Sequence, residues 1–292
     1  MNNGKRFRQR LANKECLLGA WLSFQDPAIA ELMSNIGLDF LLLDMEHAPY
    51  SPTNLQNMLI GMNGTETASL VRVPESVPYE HAATLPSAGL TAWQAVVEEG
   101  RLRPGDTMVT LGTGGVSVYA LQWAKMLGAR VLVTSSDDAK LARMRELGAD
   151  GTINYRATPK WHEAVMAQTG GRGARLVVNT VGLQELDGCL ESCASGGRIA
   201  HIGANAVTTD RVATGGVVPQ RLGLLIIRDL TLKGIVVGSR RMMADAVAAM
   251  AHHRLQPVID RVYPFDQANE AIARFARGDK IGKVMIRVAD GG

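Results

Sequence analysis

The sequence predicts an α/β fold. A doubly wound parallel sheet is preceded by a partial (β/α) barrel-like βαβαβ unit and followed by a short α+β return segment. Three observations carry that prediction. Apolar runs of four to eight residues alternate with helix-like segments almost throughout, which is the rhythm of βα units. One such run, ending at Leu111, passes straight into Gly112, Gly114 and Gly115, then into a helical pattern and another apolar run. The chain has 292 residues, 46% hydrophobic and 20% charged, enough for one large or two ordinary domains with a real core.

In order along the chain, "LLGAWLSF", "DFLLLDM" and "ASLVRV" read as strands of a first unit over residues 1–75. "PAIAELMSNIG" and "SPTNLQNMLIGM" between them have helical spacing. Pro27 and Pro52 stand where a helix start tolerates proline, with Asp26 and Ser51 before them as caps. Residues 76–99 form a hinge and helix: Pro78, Pro86 and small residues break the pattern, and "AGLTAWQAVVEEG" is helical from 88 onward. Residues 100–236 hold strands near 107–111, 130–134, 151–154, 175–179, 197–202 and 230–236, with helices between them. Residues 237–292 return with "VIDRVYPF", a helix "DQANEAIARFARG" and a strand "KVMIRV".

The net charge of +3 is too small to argue for nucleic acid or an anionic membrane. No apolar run is long enough to span a bilayer, and "MNNGKRFRQRL" lacks the apolar core of a signal peptide. Three sparse cysteines, Cys16, Cys189 and Cys193, point to a reducing compartment and a cytoplasmic protein. Cys189 and Cys193 are expected four apart on one helix as buried thiols, without partners at zinc spacing. His252 and His253 end a helix, and His201 reads as a core histidine in "RIAHIG". No metal is expected.

The sharpest chemistry is "GDTMVTLGTGGVSVYALQWAKMLGARVLVTSS". A strand, a glycine turn, a helix and a second strand form the context in which main chain can approach a diphosphate at a helix N-terminus. Gly112, Gly114, Gly115 and Val116 are the expected contacts, and Ser117 stands where the third glycine of the fingerprint is usual. The second strand ends in Ser135 and Ser136, with Lys140 one turn onward. Hydroxyls and a cation favour a 2′-phosphate, so NADP is preferred over NAD. Asp137 and Asp138 read as helix caps.

"AATLPSAGLTAW", the glycine segment, "LGADGTINYR", "GGRIAHIG", "GIVVGSRRMM" and "IGKVMIRV" occur in that order. Together they resemble the medium-chain dehydrogenase/reductases, in the zinc-independent branch near quinone oxidoreductases and NADP-dependent alcohol dehydrogenases. The resemblance covers about residues 76–292 and implies a Rossmann sheet from about 100 to 235. It further implies that Thr91 lies near the nicotinamide, that Tyr155 flanks the adenosine end, and that Asn179 stands where its strand meets the cofactor. Gly203, Gly238 and Ser239 would supply contacts along the nicotinamide half. The resemblance suggests a homodimer through the strand near 230–236, with a carbonyl, alcohol or quinone as substrate and no zinc.

That family's N-terminal catalytic domain should precede the glycine turn, and residues 1–75 do not look like it. "DMEHAP" and "VRVP" resemble instead the start of the metal-dependent class II 2-oxo-acid aldolases of the 4-hydroxy-2-oxoheptanedioate type, a (β/α)₈ barrel. In that resemblance His47 serves in acid–base chemistry and Arg72 polarises a 2-oxo acid's carbonyl. The metal ligands of such an enzyme come from later strands, and three strands cannot close a barrel. The chain therefore reads as a hybrid with its seam between Arg72 and Pro86. Three functions compete: an NAD(P)-linked oxidoreductase lacking most of its usual substrate domain, a nucleotide-binding module without catalysis, and a 2-oxo-acid aldolase.

Overall fold

The computed structural model describes residues 3–22, 24, 26–44, 52–72, 79–203 and 220–287. The chain divides into two compact units, residues 1–82 with 239–244 and residues 83–238 with 245–292.

The first unit runs α1 (Asn3–Ala12), β1 (Gly19–Leu22), α2 (Pro27–Ser34), β2 (Phe40–Asp44), α3 (Pro52–Gly61), β3 (Ala68–Arg72) and α4 (Tyr79–Ala82). Its strands are parallel in the order β1-β2-β3, the βαβαβ arrangement that the apolar pattern predicts. Asp26 caps α2 as expected, accepting from the Ala28 amide at 2.8 Å. Leu22, Ala30, Leu41, Leu43, Met58 and Met62 form the core. The basic stretch at the start folds as α1, which the sequence reading did not anticipate. Its charges explain why: Arg6 pairs with Glu66 at 2.9 Å and Arg10 with Asp39. Asp39 also accepts from the Leu18 amide at 2.8 Å. That amide, then Arg10, holds the Asp39 carboxyl below its ordinary value.

The second unit begins with a helical run over 85–98. Here α5 (Leu90–Trp93) lies between π-wound turns at Leu85–Gly89 and Gln94–Glu98. The helix thus starts three residues earlier than the pattern from 88 predicts, and with Pro86 inside its first turn, where proline costs no helix hydrogen bond. Next come β4 (Thr107–Leu111), α6 (Gly115–Met126), β5 (Arg130–Ser135), α7 (Asp138–Glu146), β6 (Gly151–Asn154), α8 (Trp161–Gln168) and β7 (Ala174–Asn179). The chain continues through α9 (Leu186–Ser192), β8 (Cys193–His201), α10 (Leu224–Ile227), β9 (Thr231–Gly234) and α11 (Arg240–His253). It ends in β10 (Ile259–Pro264), α12 (Ala268–Arg277) and β11 (Lys283–Arg287).

Six strands form one parallel sheet in the order β6-β5-β4-β7-β8-β9. This is the doubly wound order, reversing direction between β4 and β7. Alternate residues Val109 and Leu111, with Leu132, Val177 and Ile199, pack with Trp161 and Val165 of α8 and Leu186, Cys189 and Leu190 of α9. Each such fully buried apolar side chain contributes about 1.5–3 kcal/mol. Elsewhere in this unit Trp123 meets Trp93 edge to face at 5.0 Å and stacks on Tyr119 at 5.8 Å. Burial pushes the Tyr119 hydroxyl up to about 12, against the opposing hydrogen bond with Thr84. β10 and β11 form a separate parallel pair crossed over by α12.

Two details correct the sequence reading. Cys189 lies on α9, but Cys193 is the first residue of β8, so the two are not on one helix. β8 also starts at Cys193 rather than near 197, because it runs through a glycine bulge. Gly196 has φ +69°, and the pairing register with β7 shifts there. Both thiols are buried and raised, Cys193 to about 12, chiefly by desolvation.

Candidate functional site

The site grows from the end of β4. Gly112 has φ +82°, a left-handed turn that glycine adopts without strain. Its amide donates to the Thr134 carbonyl at 2.9 Å, joining the turn to β5. Gly114 stands at the N-terminus of α6, and no side chain caps that helix end. Its φ of −74° is ordinary, and a Cβ built there would meet no atom of the described residues within 4 Å. Neither backbone geometry nor protein packing therefore requires glycine at 114. Gly115 is different: a Cβ there would lie 2.7 Å from Lys283 Cδ and 3.1 Å from Ala88 Cβ. Val116 follows in the first turn of α6.

Ser117 closes the base of the turn. It is buried, and its hydroxyl donates to the Leu111 carbonyl at 2.8 Å. The Thr180 hydroxyl reaches the same carbonyl at 2.6 Å. The serine thus keeps helix and strand close and satisfies the last acceptor of β4. Thr180 was not anticipated from sequence; its place after β7, facing β4 at the reversal of strand order, is what brings it here.

At the end of β5, Ser135 is buried and its Oγ accepts from the Asp137 amide at 3.3 Å. Asp137 caps α7 as expected, accepting from the Lys140 amide at 3.1 Å, and Asp138 accepts from Asn154 at 2.9 Å. Ser136 lies between them, partly exposed. The Lys140 ammonium donates to the Gly278 carbonyl at 2.6 Å. Tyr155 is exposed beyond β6, its amide bonded to the Ser135 carbonyl at 3.0 Å. Ser135, Ser136 and Tyr155 therefore share the β5–β6 end of the sheet.

Asn179 is fully buried at the end of β7. Its Oδ1 accepts from the Val181 and Gly182 amides, each at 3.0 Å, and its Nδ2 donates to the Gly182 carbonyl at 2.9 Å. The same Nδ2 lies 3.2 Å from His201 Nδ1, which then accepts. Burial lowers the His201 pKa, in keeping with a neutral ring. Gly203 packs against this loop so closely that a Cβ would lie 2.4 Å from the Val181 carbonyl carbon. Thr91 is buried on α5, with its hydroxyl bonded to the Ser87 carbonyl at 2.6 Å. Gly238 follows β9, and the Ser239 hydroxyl accepts from the Met242 amide at 3.3 Å at the start of α11.

In the first unit, Arg72 ends β3 with its backbone paired across from Asp44 of β2. His47 lies outside the described residues, as do Glu46 and Ser51. Among the described residues no three of His, Cys, Asp and Glu come together in a set that could hold a metal ion, and no helix is long and apolar enough to cross a membrane.

A parallel sheet of this order with a glycine turn at its reversal point defines a Rossmann-like α/β fold. Residues 115–252 match the zinc-binding dehydrogenase family. A zinc-type alcohol dehydrogenase-like protein of Schizosaccharomyces pombe is 38% identical over 225 residues, covering 75% of this chain and 63% of its own length. A solved structure from Sinorhizobium meliloti 1021, carrying an alcohol dehydrogenase name, is 44% identical with a TM-score of 0.67 over 75% of this chain and 61% of that one. A structure described as an NAD-dependent alcohol dehydrogenase is 33% identical with a TM-score of 0.64, covering 74% and 63%. These matches support the medium-chain dehydrogenase superfamily for this part of the chain. The chain spans less than two thirds of the length of each of these relatives. They lend no support to the aldolase resemblance of residues 1–75 or to the quinone oxidoreductase branch. The family's description names zinc, but the donor set among the described residues does not fit one.

Proposed function

We propose that this chain is an NAD(P)-dependent oxidoreductase of the medium-chain dehydrogenase type, acting on a small alcohol, carbonyl compound or activated alkene. The observation that carries the reading is Gly114. It stands at a helix end without a side-chain cap, at the reversal point of the sheet, and its missing side chain leaves space that no atom of the described residues fills. A diphosphate approaching that end would meet free amides and the positive pole of α6. A bound nicotinamide dinucleotide would supply the hydride donor or acceptor. The chain's own residues would do the rest. Gly112–Val116 would grip the diphosphate, while Ser136, Tyr155 and Lys140 border the adenosine end. Asn179 and Gly203 would shape the loop beside the nicotinamide half, and Thr91 and Gly238 would be further contacts of that half.

The preference for NADP over NAD rests on the Ser135 and Ser136 hydroxyls at the end of β5 and on Lys140 one turn onward, while Asp137 and Asp138 each commit one carboxylate oxygen, to the Lys140 amide and to Asn154. A small-molecule substrate and a homodimer through the exposed β9 edge complete the proposal. Titration of the full chain with NADPH and NADH, followed by tryptophan fluorescence, tests it. Saturable binding, tighter for NADPH, is expected, followed by NADPH oxidation with an aldehyde or enone. Absence of binding to either dinucleotide would overturn the reading, and tighter NADH binding would overturn the NADP preference alone.

A further inference from the structure

A chain of hydrogen bonds joins the glycine turn to one titratable ring. Thr180 donates its hydroxyl to the carbonyl of Leu111, the residue just before Gly112, at 2.6 Å. The next two amides, Val181 and Gly182, donate to Asn179 Oδ1, each at 3.0 Å. Asn179 is fully buried, and its own carbonyl accepts from the Ile202 and Gly203 amides at 2.9 and 3.1 Å. One residue therefore ties together the loops that follow β7 and β8. Both loops leave the C-terminal edge of the sheet, where a doubly wound fold holds its ligand.

The Asn179 amide cannot be turned over. Its oxygen faces two N–H donors, and a flip would set its NH₂ group against both. Its Nδ2 is thus fixed as a donor, toward the Gly182 carbonyl at 2.9 Å and His201 Nδ1 at 3.2 Å. His201 must accept there, so its ring is neutral with the proton on Nε2. A proton on Nδ1 would leave two donors facing each other, and Asn179 could move away only by releasing the Val181 and Gly182 amides.

Burial lowers the His201 pKa from the ordinary 6.5, and among the described residues no charged side chain contributes. Those on the elements packed against β8 are engaged elsewhere. Arg175 of β7 donates to the Gly196 carbonyl, and Lys233 of β9 pairs with Glu99 at 3.9 Å. On α9, Asp187 accepts from the Gln220 and Arg221 amides, and Glu191 pairs with Arg221 at 2.9 Å and His162 at 3.1 Å. The Cys189 thiol is held neutral by burial. Arg198 projects from the opposite face of β8, being an odd number of residues from His201.

We propose that His201 is a positioning residue for the dinucleotide site: its neutral Nδ1 holds Asn179, and through it the 180–182 loop beside the glycine turn, so that protonation of the ring weakens dinucleotide binding. The proposal rests on the dinucleotide reading above and adds to it an acid-sensitive residue acting through Asn179. Its sign follows from burial. The loop is held fully above 6.5 and is released as pH falls through the lower folded value.

Titration of the full-length protein with NADP⁺ between about pH 8 and about pH 5 tests it. The ligand's own 2′-phosphate titrates near about pH 6. The comparison is therefore with His201→Asn, whose side-chain oxygen can accept from Asn179 and which carries no titrating proton. That variant should bind as wild type does at about pH 8, and on acidification wild type should lose about fivefold more affinity than it does. His201→Leu, which lacks the acceptor, should be weaker than wild type at about pH 8 by a similar factor. Identical pH profiles for wild type and His201→Asn, or a His201→Leu as tight as wild type, overturn this proposal alone. Wild-type protein that binds no NADP⁺ overturns the dinucleotide reading and this proposal with it. A second measurement needs no ligand: nitrogen NMR of the free protein should show His201 as the Nε2–H tautomer. A neutral ring with its proton on Nδ1 overturns the proposal.

Discussion

At the scale of single residues, the glycines of the turn separate into different physical cases. Gly112 is required by its backbone, Gly115 by crowding, and Gly114 by neither. That separation makes Gly114 a sharp probe. Threonine ranks with glycine at a helix N-cap, so Gly114→Thr should leave the thermal midpoint nearly unchanged while filling the open approach. NADPH affinity should fall at least about tenfold, since a blocked approach to the diphosphate removes charge-assisted bonds. Calorimetry and titration of the same sample would separate the two effects. Gly112→Ala should do the opposite to stability, costing about 1–2 kcal/mol for a left-handed alanine, read as a lower denaturant midpoint.

Among elements, the loop after β7 depends on one side chain. Replacing Asn179 by leucine strips acceptors from the Val181 and Gly182 amides, at about 1–3 kcal/mol for each group left buried and unpaired. Urea unfolding should register that loss, and amide hydrogen exchange at 181 and 182 should accelerate. The return segment depends on Asp260, which binds Arg274 and the Ile281 amide just ahead of Gly282 and Lys283. Burial would raise the Asp260 pKa, but the Arg274 fork and the Ile281 amide outweigh it and hold the carboxyl below its ordinary 3.8. Its contribution to stability is therefore fully present above 3.8 and is lost as pH falls through the lower folded value. Asp260→Asn should flatten the acid limb of a plot of unfolding midpoint against pH, and a variant as acid-sensitive as wild type would contradict this assignment. Strand positions, the α2 cap and the glycine turn were legible in the sequence, because period, proline and glycine act locally. The strand register through the Gly196 bulge was not, nor was the end of α9 before Cys193. Both are decided by neighbours: Arg228 accepts the Gly196 amide at its carbonyl, 2.7 Å away.

For the molecule as a whole, the two units differ in how far sequence patterns explain them. The six-stranded sheet follows from repeated βα units, each strand buried by the next. The three strands of the first unit fold as their pattern predicts, but pattern alone leaves their partner elements unspecified. A ligand bound only by the native sheet should stabilise it by mass action. At about 100 times its dissociation constant the gain is about 2.7 kcal/mol, or about 5–11 °C in the midpoint of a unit of this size. Trp93, Trp123 and Trp161 report on that unit, while Trp21 reports on the other. The emission transition of the three should move with NADPH, and a transition that stays put at saturation would argue against binding in the sheet's unit.

The cysteines have a practical consequence. Cys16 is exposed, whereas Cys189 and Cys193 are sealed in the sheet's core. A thiol-reactive dye applied to native protein would therefore mark one site, ahead of β1, and leave the other two silent. Their later appearance in a timed labelling experiment would count openings of the core directly, one modified sulfur at a time.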